Sequence, residues 1–220
     1  MKKQILTSDG SHSYYLPELD EHYHSKHGAI QESQHVFIES GMNYVATKKE
    51  EIRVLELGMG TGLNLYLTAL FANQQQIKIV MDSLEPFPLS LIEAKSLNYP
   101  EILGSSRTDF ELIHQLSWQK RHQMGDFFKW QKIKQKWENF ELTASYDLIY
   151  YDAFAPDKQA EMWELPLLKK AFSALCSSGV LVTYCVKGIV RRRLKEVGFE
   201  VKKLPGPPNG KREILRAEKN

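Results

Sequence analysis

The stretch "LELGMGTGLN", residues 55–64, places three glycines within five positions, directly after the apolar run "IRVLEL". A short apolar run that is bounded by glycine predicts a buried strand. Leu63, Leu67 and Leu70 then recur at the spacing of one helix face. The stretch therefore predicts a strand, a glycine loop and a helix, with a loop that lets the backbone approach a ligand closely.

The rest of the chain continues this alternation. Further strands are predicted over 77–85, 146–154 and 179–186, and helices over 88–97, 162–176 and 188–198. Such a pattern predicts an α/β fold, with a mostly parallel sheet between two helical layers. At the end of the chain, "FEVKKL" and "KREILRA" flank the turn "PGPPNG" and predict an antiparallel pair at one sheet edge.

Two regions are less regular. Residues 1–50 are polar and aromatic and hold five of the seven histidines, so we expect an N-terminal cap there and one domain over 51–220. Between residues 110 and 126 we expect a strand that leads into Gly125 and Asp126.

The glycine loop has the spacing G-x-G-x-G, at Gly58, Gly60 and Gly62, and Glu56 precedes it. Dinucleotide loops are usually G-x-G-x-x-G, and an acid at this place would repel a pyrophosphate. No lysine follows the glycines as in a nucleoside triphosphate loop. S-adenosylmethionine suits the pattern better, because it carries a sulfonium and an ammonium and its carboxylate can face the helix N-terminus.

Two other acids are expected at strand ends. Glu85 ends the second strand of the domain, where a carboxylate can accept hydrogen bonds from both ribose hydroxyls. Asp126 ends a later predicted strand and could hold the adenine amino group. Either acid alone could instead cap a helix or a turn.

The stretch "YYDAFAPDKQAEMW", residues 150–163, follows the central predicted strand, which Asp152 ends. An amine must lose a proton to attack a methyl group, and a carboxylate can orient the amine and accept that proton. We therefore expect Asp152 to be the catalytic base, although an aspartate at this place could also cap a turn. Phe154 could stack on the substrate or belong to the core.

The net charge is only +2, but residues 191–220 hold ten Lys and Arg against four Glu. Residues 111–140 mix basic and aromatic side chains, a combination that suits RNA. Both stretches are also compatible with solvated helices that bury an apolar stripe, such as Ile189, Val190, Leu194 and Val197.

Several classes of protein are disfavoured. No apolar run approaches the roughly 20 residues of a membrane span, and the N-terminus has no apolar signal segment, so we expect a soluble cytoplasmic protein. Two cysteines are too few for a disulfide framework. His22, His24 and His27 lack helical spacing and a nearby cysteine, so we expect no metal site.

Four blocks resemble the MnmC-like methyltransferases, the bacterial tRNA 5-methylaminomethyl-2-thiouridine methyltransferases and their stand-alone relatives. They are "YHSKHGAIQESQHVFIESG", "ELGMGTGLN", "YDAFAPDKQAEMW" and "GIVRRRLKEVGFEVKKLPG" with the later "GKREIL". The resemblance covers nearly the whole chain in order. It implies a Rossmann-like class I fold with a seven-stranded sheet, and methyl transfer from S-adenosylmethionine to the aminomethyl nitrogen of a wobble uridine in tRNA.

The resemblance also implies roles for particular residues. Asp152 matches the catalytic acid of the family. The expected cofactor-binding residues are Glu56, Gly58, Gly60, Gly62, Asn64, Glu85 and Asp126. The expected substrate-binding residues are Phe154, Lys187, Arg191, Arg192, Lys211 and Arg212.

The chain departs from the family pattern in places. Ala153 stands where a glycine is usual, Met59 where a phenylalanine is common, and the turn before Lys211 is longer. No oxidase domain follows residue 220, so we expect a form that methylates an aminomethyl group already present. A methyltransferase for small amines or protein side chains is an alternative; a non-catalytic RNA-binding relative is disfavoured because Glu56, Glu85 and Asp152 are all present.

Overall fold

A computed structural model describes residues 2–208, 210 and 212–220, and the prediction for Lys211 lies outside them. The strands are β1 (Lys3–Leu6), β2 (His12–Leu16), β3 (Glu21–His22), β4 (Glu51–Leu57), β5 (Lys78–Leu84), β6 (Arg121–Met124), β7 (Phe128–Ile133), β8 (Tyr146–Tyr151), β9 (Leu175–Thr183), β10 (Glu200–Pro205) and β11 (Glu213–Glu218). The α-helices are α1 (Ala29–Ser33), α2 (Asn43–Ala46), α3 (Leu63–Gln75), α4 (Leu91–Lys95), α5 (Tyr99–Leu103), α6 (Arg107–Gln115), α7 (Leu165–Ala174) and α8 (Gly188–Val197). A π-helix, Gln34–Met42, joins α1 to α2, and short 3₁₀-helices span Trp137–Asn139 and Ala160–Trp163.

The described strands β4 to β11 form one sheet in the order β10-β11-β9-β8-β4-β5-β7-β6. The five strands from β9 to β7 in that order run parallel. At one edge β11 and β10 pair antiparallel, as the terminal sequence pattern predicts, and β6 pairs antiparallel at the other edge. The expected α/β class is confirmed, but the expected seven strands are one too few, because the hairpin β6–β7 adds a strand.

The central strands are buried on both faces over most of their length because helices cover both faces of the sheet. In β4, Val54 and Leu55 have no exposed surface although they point to opposite faces. Helix α3 and the N-terminal helices pack on the face that holds Val54, while α7 and α8 pack on the face that holds Leu55. The carboxyl ends of the parallel strands are therefore the part of the sheet where polar groups can meet a ligand.

The N-terminal residues form two different structures. Strands β1, β2 and β3 make a small antiparallel sheet of their own. The π-helix packs into the main core, where Phe37 and Met42 are almost fully buried. At Gly41 a Cβ atom would lie 2.9 Å from a methyl group of Val182 on β9, so helix and sheet are in close contact. The boundary at residue 50 stays a prediction.

The segment before Gly125 differs from the sequence expectation. Residues Arg107–Gln115 form helix α6, which the Ser106 hydroxyl caps by accepting a hydrogen bond from the Asp109 N–H. Only Arg121–Met124 form a strand ahead of the turn. Because this helix is largely polar, its apolar periodicity is weak, and the capping residue Ser106 is the clearer sequence indication that a helix begins there. None of the described helices combines the length and the apolar character that crossing a membrane would require.

The glycine loop is compressed against the neighbouring strand. Gly58 has a φ of +96°, and a Cβ atom there would lie 2.5 Å from the carbonyl oxygen of Asp152. Gly104 also has a positive φ, of +59°, but a Cβ atom there would meet nothing within 4 Å. Substitutions at these two glycines therefore distinguish the free-energy cost of the backbone conformation from that of the close contact.

We expect Gly58→Ala to lower the free energy of unfolding by about 3 kcal/mol or more, because backbone strain and a clash with a backbone atom act together. Gly104→Ala is the control, and we expect it to cost about 1–2 kcal/mol from the left-handed backbone alone. Chemical denaturation of both variants measures the difference. Equal losses in the two variants would contradict the close contact.

Candidate active site

A cleft of about 710 Å³ opens at the carboxyl ends of β4, β5 and β8. Its floor includes the loop from Gly58 to Thr61, and its walls include Glu85 and Asp152. Residues of the N-terminal region, among them Tyr23 and His24, also line it. The cleft thus lies where open α/β sheets bind their ligands.

Backbone hydrogen bonds tie the glycine loop to the neighbouring strand β5. The N–H groups of Gly58 and Met59 both donate to the Leu84 carbonyl oxygen, at 3.1 and 3.0 Å. The Gly60 N–H donates to Glu85 Oε2 at 2.8 Å, and the Phe87 N–H donates to Glu85 Oε1 at 2.8 Å. The Glu85 carboxyl group is therefore fixed beside the loop, although burial raises its pKa.

Asp152 follows β8 and faces the same cleft. Its N–H donates to the Leu57 carbonyl oxygen at 3.0 Å, and its Oδ2 accepts a hydrogen bond from Asn64 Nδ2 at 2.8 Å. Asn64 belongs to the first turn of α3 and is 2% exposed. The adjacency of β4 and β8 thus brings the glycine loop and the Asp152 carboxylate to one place.

The turn after Asp152 is held by hydrogen bonds to its backbone. The Tyr184 hydroxyl donates to the Ala153 carbonyl oxygen at 2.9 Å, and Trp163 Nε1 donates to the Phe154 carbonyl oxygen at 2.7 Å. The Phe154 ring stands edge-on to Tyr23, with ring centroids 5.6 Å apart. Both rings line the cleft, so Phe154 is not only a core residue.

Glu56 occupies a different place from the one that the sequence suggests. It is fully buried, and it does not line the cleft. Its Oε2 accepts a hydrogen bond from the Ser83 hydroxyl. Burial raises the pKa of Glu56 to about 8, so the neutral form predominates at pH 7. Glu56 therefore lies beneath the site and is not a negative charge on its rim.

The lining of the cleft is nevertheless acidic. It includes six carboxyl groups and three lysines, which are Glu18, Glu85, Glu93, Glu138, Asp152 and Glu161, with Lys2, Lys136 and Lys158. Burial lowers the pKa of His24 to about 4, so this lining residue is neutral at pH 7. Such a lining suits a ligand with positive charge, and it agrees with the absence of a loop lysine.

The prediction for Asp126 is wrong about its place. Asp126 lies in the turn of the hairpin β6–β7, just before β7 begins, and β7 runs parallel to β5. The turn therefore sits at the amino edge of the sheet, opposite the cleft, where Gly125 packs against Asn73 near the end of α3. The carboxyl end of β7 instead brings Gln135 and Trp137 to the cleft.

The predicted substrate-binding residues that the structure describes share the carboxyl edge, and of these only Phe154 lines the cleft. Lys187 pairs with Asp157, so part of its charge is compensated. Arg191 and Arg192, in the first half of α8, have no ion pair within the described part of the chain. Arg212 directly precedes β11. Because Leu215 of β11 pairs with Thr183, the last residue of β9, Arg212 lies at the carboxyl edge of the sheet.

Residues of the N-terminal region cover the cleft, a role that the sequence analysis did not predict for them. His24 Nδ1 lies 2.9 Å from the Ser13 hydroxyl, and His24 Nε2 lies 3.4 Å from the Thr61 hydroxyl. Tyr99 donates a hydrogen bond to the same Thr61 hydroxyl. Within the described ranges, no group of three or more His, Cys, Asp and Glu is arranged to hold a metal ion.

Comparison with known proteins supports the same type of site. A family model described as S-adenosyl-L-methionine-dependent methyltransferase matches residues 128–220. The "tRNA 5-methylaminomethyl-2-thiouridine biosynthesis bifunctional protein MnmC" of Actinobacillus pleuropneumoniae serotype 5b is 28% identical over 97% of this chain, and that of Cupriavidus necator is 30% identical over 92%. The chain spans only 35% and 32% of the length of these relatives.

Solved structures agree with the fold. The crystal structure of MNMC2 from Aquifex aeolicus is 25% identical, has a TM-score of 0.79, and the match covers 99% of this chain and 70% of that one. Spermidine synthase from Thermotoga maritima, at 13% identity and a TM-score of 0.58, shares the fold over 100% of this chain and 72% of its own. Together with the glycine loop and the acidic cleft, these matches show the fold of a class I S-adenosylmethionine-dependent methyltransferase, and the chain is similar over nearly its whole length to the MnmC proteins.

Proposed function

We propose that this protein transfers a methyl group from S-adenosylmethionine to the aminomethyl nitrogen of a modified wobble uridine, 5-aminomethyl-2-thiouridine, in tRNA. The similarity to the MnmC proteins, which take part in the biosynthesis of tRNA 5-methylaminomethyl-2-thiouridine, supports this substrate. The observation that carries the reaction is the Asp152 carboxylate, which is hydrogen-bonded to Asn64 and faces the cleft beside the glycine loop. A tRNA substrate would place this activity in the cytoplasm.

The residues present fit the methyl donor. Gly58 and Gly60 present backbone alone to the cleft, and the loop carries no lysine for a phosphate. Glu85 lines the cleft at the end of β5, where its carboxyl group would accept hydrogen bonds from the ribose hydroxyls. The N-terminus of α3, a helix of 13 residues, would face the carboxylate of the donor.

The bound donor supplies a methyl group that is activated by a positively charged sulfur. The protein contributes alignment and a proton acceptor. As the amine nitrogen forms its bond to the methyl carbon, the bond to sulfur breaks and its electron pair stays on sulfur. Asp152 orients the amine and takes up the proton that the nitrogen gives away, directly or through water. Tyr23 and Phe154 would flank the acceptor base with their rings.

A wobble base reaches such a cleft only when it is turned out of the anticodon loop, as in other enzymes that modify bases. The phosphates next to that base would then lie over the carboxyl edge of the sheet. Arg191 and Arg192 are free to contact phosphates there, and Lys187 and Arg212 share the edge.

We expect Asp152→Ala to lower kcat by about 10²- to 10⁴-fold, the usual contribution of a general base. The assay is methyl transfer from the donor to tRNA that lacks the final wobble methyl group. Calorimetry should show that the variant still binds the donor, since the loop and Glu85 are unchanged. Asp109→Ala, which removes a carboxylate of α6 that does not line the cleft, is the control and should keep full activity.

Unchanged transfer by Asp152→Ala would remove the assignment of the base. Failure of the wild type to methylate any such tRNA, with donor binding intact, would favour a small amine or a protein side chain as the acceptor.

We also expect the double variant Arg191→Gln/Arg192→Gln to raise the KM for tRNA and to reduce the salt dependence of binding by about one to two units of slope, because each arginine would release counterions from about one phosphate. Lys78→Gln/Lys129→Gln is the matched control. It removes two exposed charges at the amino edge of the sheet, so tRNA binding should not change. Equal effects of the two double variants would count against a specific tRNA surface at α8.

A further inference from the structure

Glu56 and Asn64 each have a buried oxygen atom without a hydrogen-bond partner among the described residues. The two atoms are Glu56 Oε1 and Asn64 Oδ1. The second polar atom of each side chain is hydrogen-bonded: Ser83 donates to Glu56 Oε2, and Asn64 Nδ2 donates to Asp152. A buried acceptor that stays unpaired costs free energy, so two such atoms in one cluster require an explanation.

One proton on Glu56 would satisfy both atoms. The Asn64 side chain is near enough to hydrogen-bond with the Glu56 carboxyl group, a contact that by itself lowers the pKa of Glu56. A protonated Glu56 can donate its O–H to Asn64 Oδ1, and the amide then keeps its N–H directed at Asp152. With the amide turned the other way, Asn64 Oδ1 would face the Asp152 carboxylate, and two acceptors would oppose each other.

The surroundings of Glu56 favour this neutral form. The charged and titratable groups that act on it are Asp152, at the end of β8, and Glu85, at the end of β5. Tyr150 on β8 is the titratable group that responds to Glu56, and it is fully buried. Burial and the two carboxyl groups raise the pKa of Glu56, and their effect outweighs that of the hydrogen bonds with Ser83 and Asn64, which lower it.

We propose that Glu56 is a positioning residue that works as a neutral hydrogen-bond donor, and that through Asn64 it holds the Asp152 carboxylate in place for the amine. This inference rests on the proposed function of Asp152. It gives Glu56 a role that is different from that of a negative charge for the methyl donor, because Glu56 does not reach the cleft.

The activity test compares two substitutions of similar size. In Glu56→Gln the side-chain amide can donate to Asn64 Oδ1 and accept from Ser83, so kcat should stay within about threefold of the wild type. In Glu56→Leu the donor is lost, and kcat should fall by at least about tenfold, as expected when a buried hydrogen bond is broken. The dissociation constant for S-adenosylmethionine should change little in Glu56→Gln, which calorimetry measures.

The result that would overturn the proposal is a large loss in Glu56→Gln that equals the loss in Glu56→Leu. A charge that serves the donor would give that result, and donor binding would weaken in both variants. Donor binding in the Leu variant also shows whether the folded cleft survives the substitution.

A second experiment does not depend on tRNA. The raised pKa of Glu56, about 8 against an ordinary 4.5, means that the folded protein holds more protons than the unfolded chain between these values. The free energy of unfolding of the wild type should therefore fall, relative to that of Glu56→Gln, as the pH rises from 4.5 to 8. Below 4.5 and above 8 the difference should be constant.

A difference that does not vary over this window would mean that Glu56 is ionised, and the proposal would be wrong. If no tRNA accepts a methyl group, the proposed function fails, and the unfolding experiment alone decides for or against a protonated Glu56. The two failures can thus be told apart.

Discussion

The contact between Gly58 and the backbone of Asp152 is the constraint on which the site depends. Strands β4 and β8 are hydrogen-bonded neighbours, and each is followed directly by a residue of the site. Because no side chain fits between Gly58 and the Asp152 carbonyl, the loop that would hold the donor and the carboxylate that would serve the acceptor lie in direct contact. Direct methyl transfer requires the donor and the acceptor to lie close together, because the attacking nitrogen must be aligned with the bond that breaks.

The sequence predicts the parallel core and the β10–β11 edge well, and the edge formed by β7 and β6 less well. Strands β4, β5, β8 and β9 each contain a short run of two to four consecutive apolar or aromatic residues, which identifies them without tertiary information. Strand β7, "FKWQKI", is different because its charged residues interrupt the pattern. Lys132 is buried in β7. Its Nζ donates to the His114 carbonyl oxygen and lies over the Trp118 ring, and a local sequence pattern does not predict these contacts.

The same limit applies to the site. Glu85 and Asp152 were expected at strand ends, and both line the cleft, because the ends of parallel strands share one edge. Asp126 also follows a strand, but β6 runs antiparallel, and strand direction is not visible in a local pattern. The neutral state of Glu56 depends on its burial and on carboxyl groups that follow other strands. The position of Tyr23 and His24 over the cleft depends on contacts with residues that are distant in the sequence.

The cover over the cleft has a thermodynamic consequence. Tyr23 and His24 directly follow β3 of the small N-terminal sheet, and they contact Gly60, Thr61 and Phe154, which lie in the loops after β4 and β8. A ligand held between these two parts contacts both. The binding free energy of the ligand therefore stabilises the contact between the N-terminal strands and the main sheet. Local unfolding of these strands and release of the ligand are then linked equilibria.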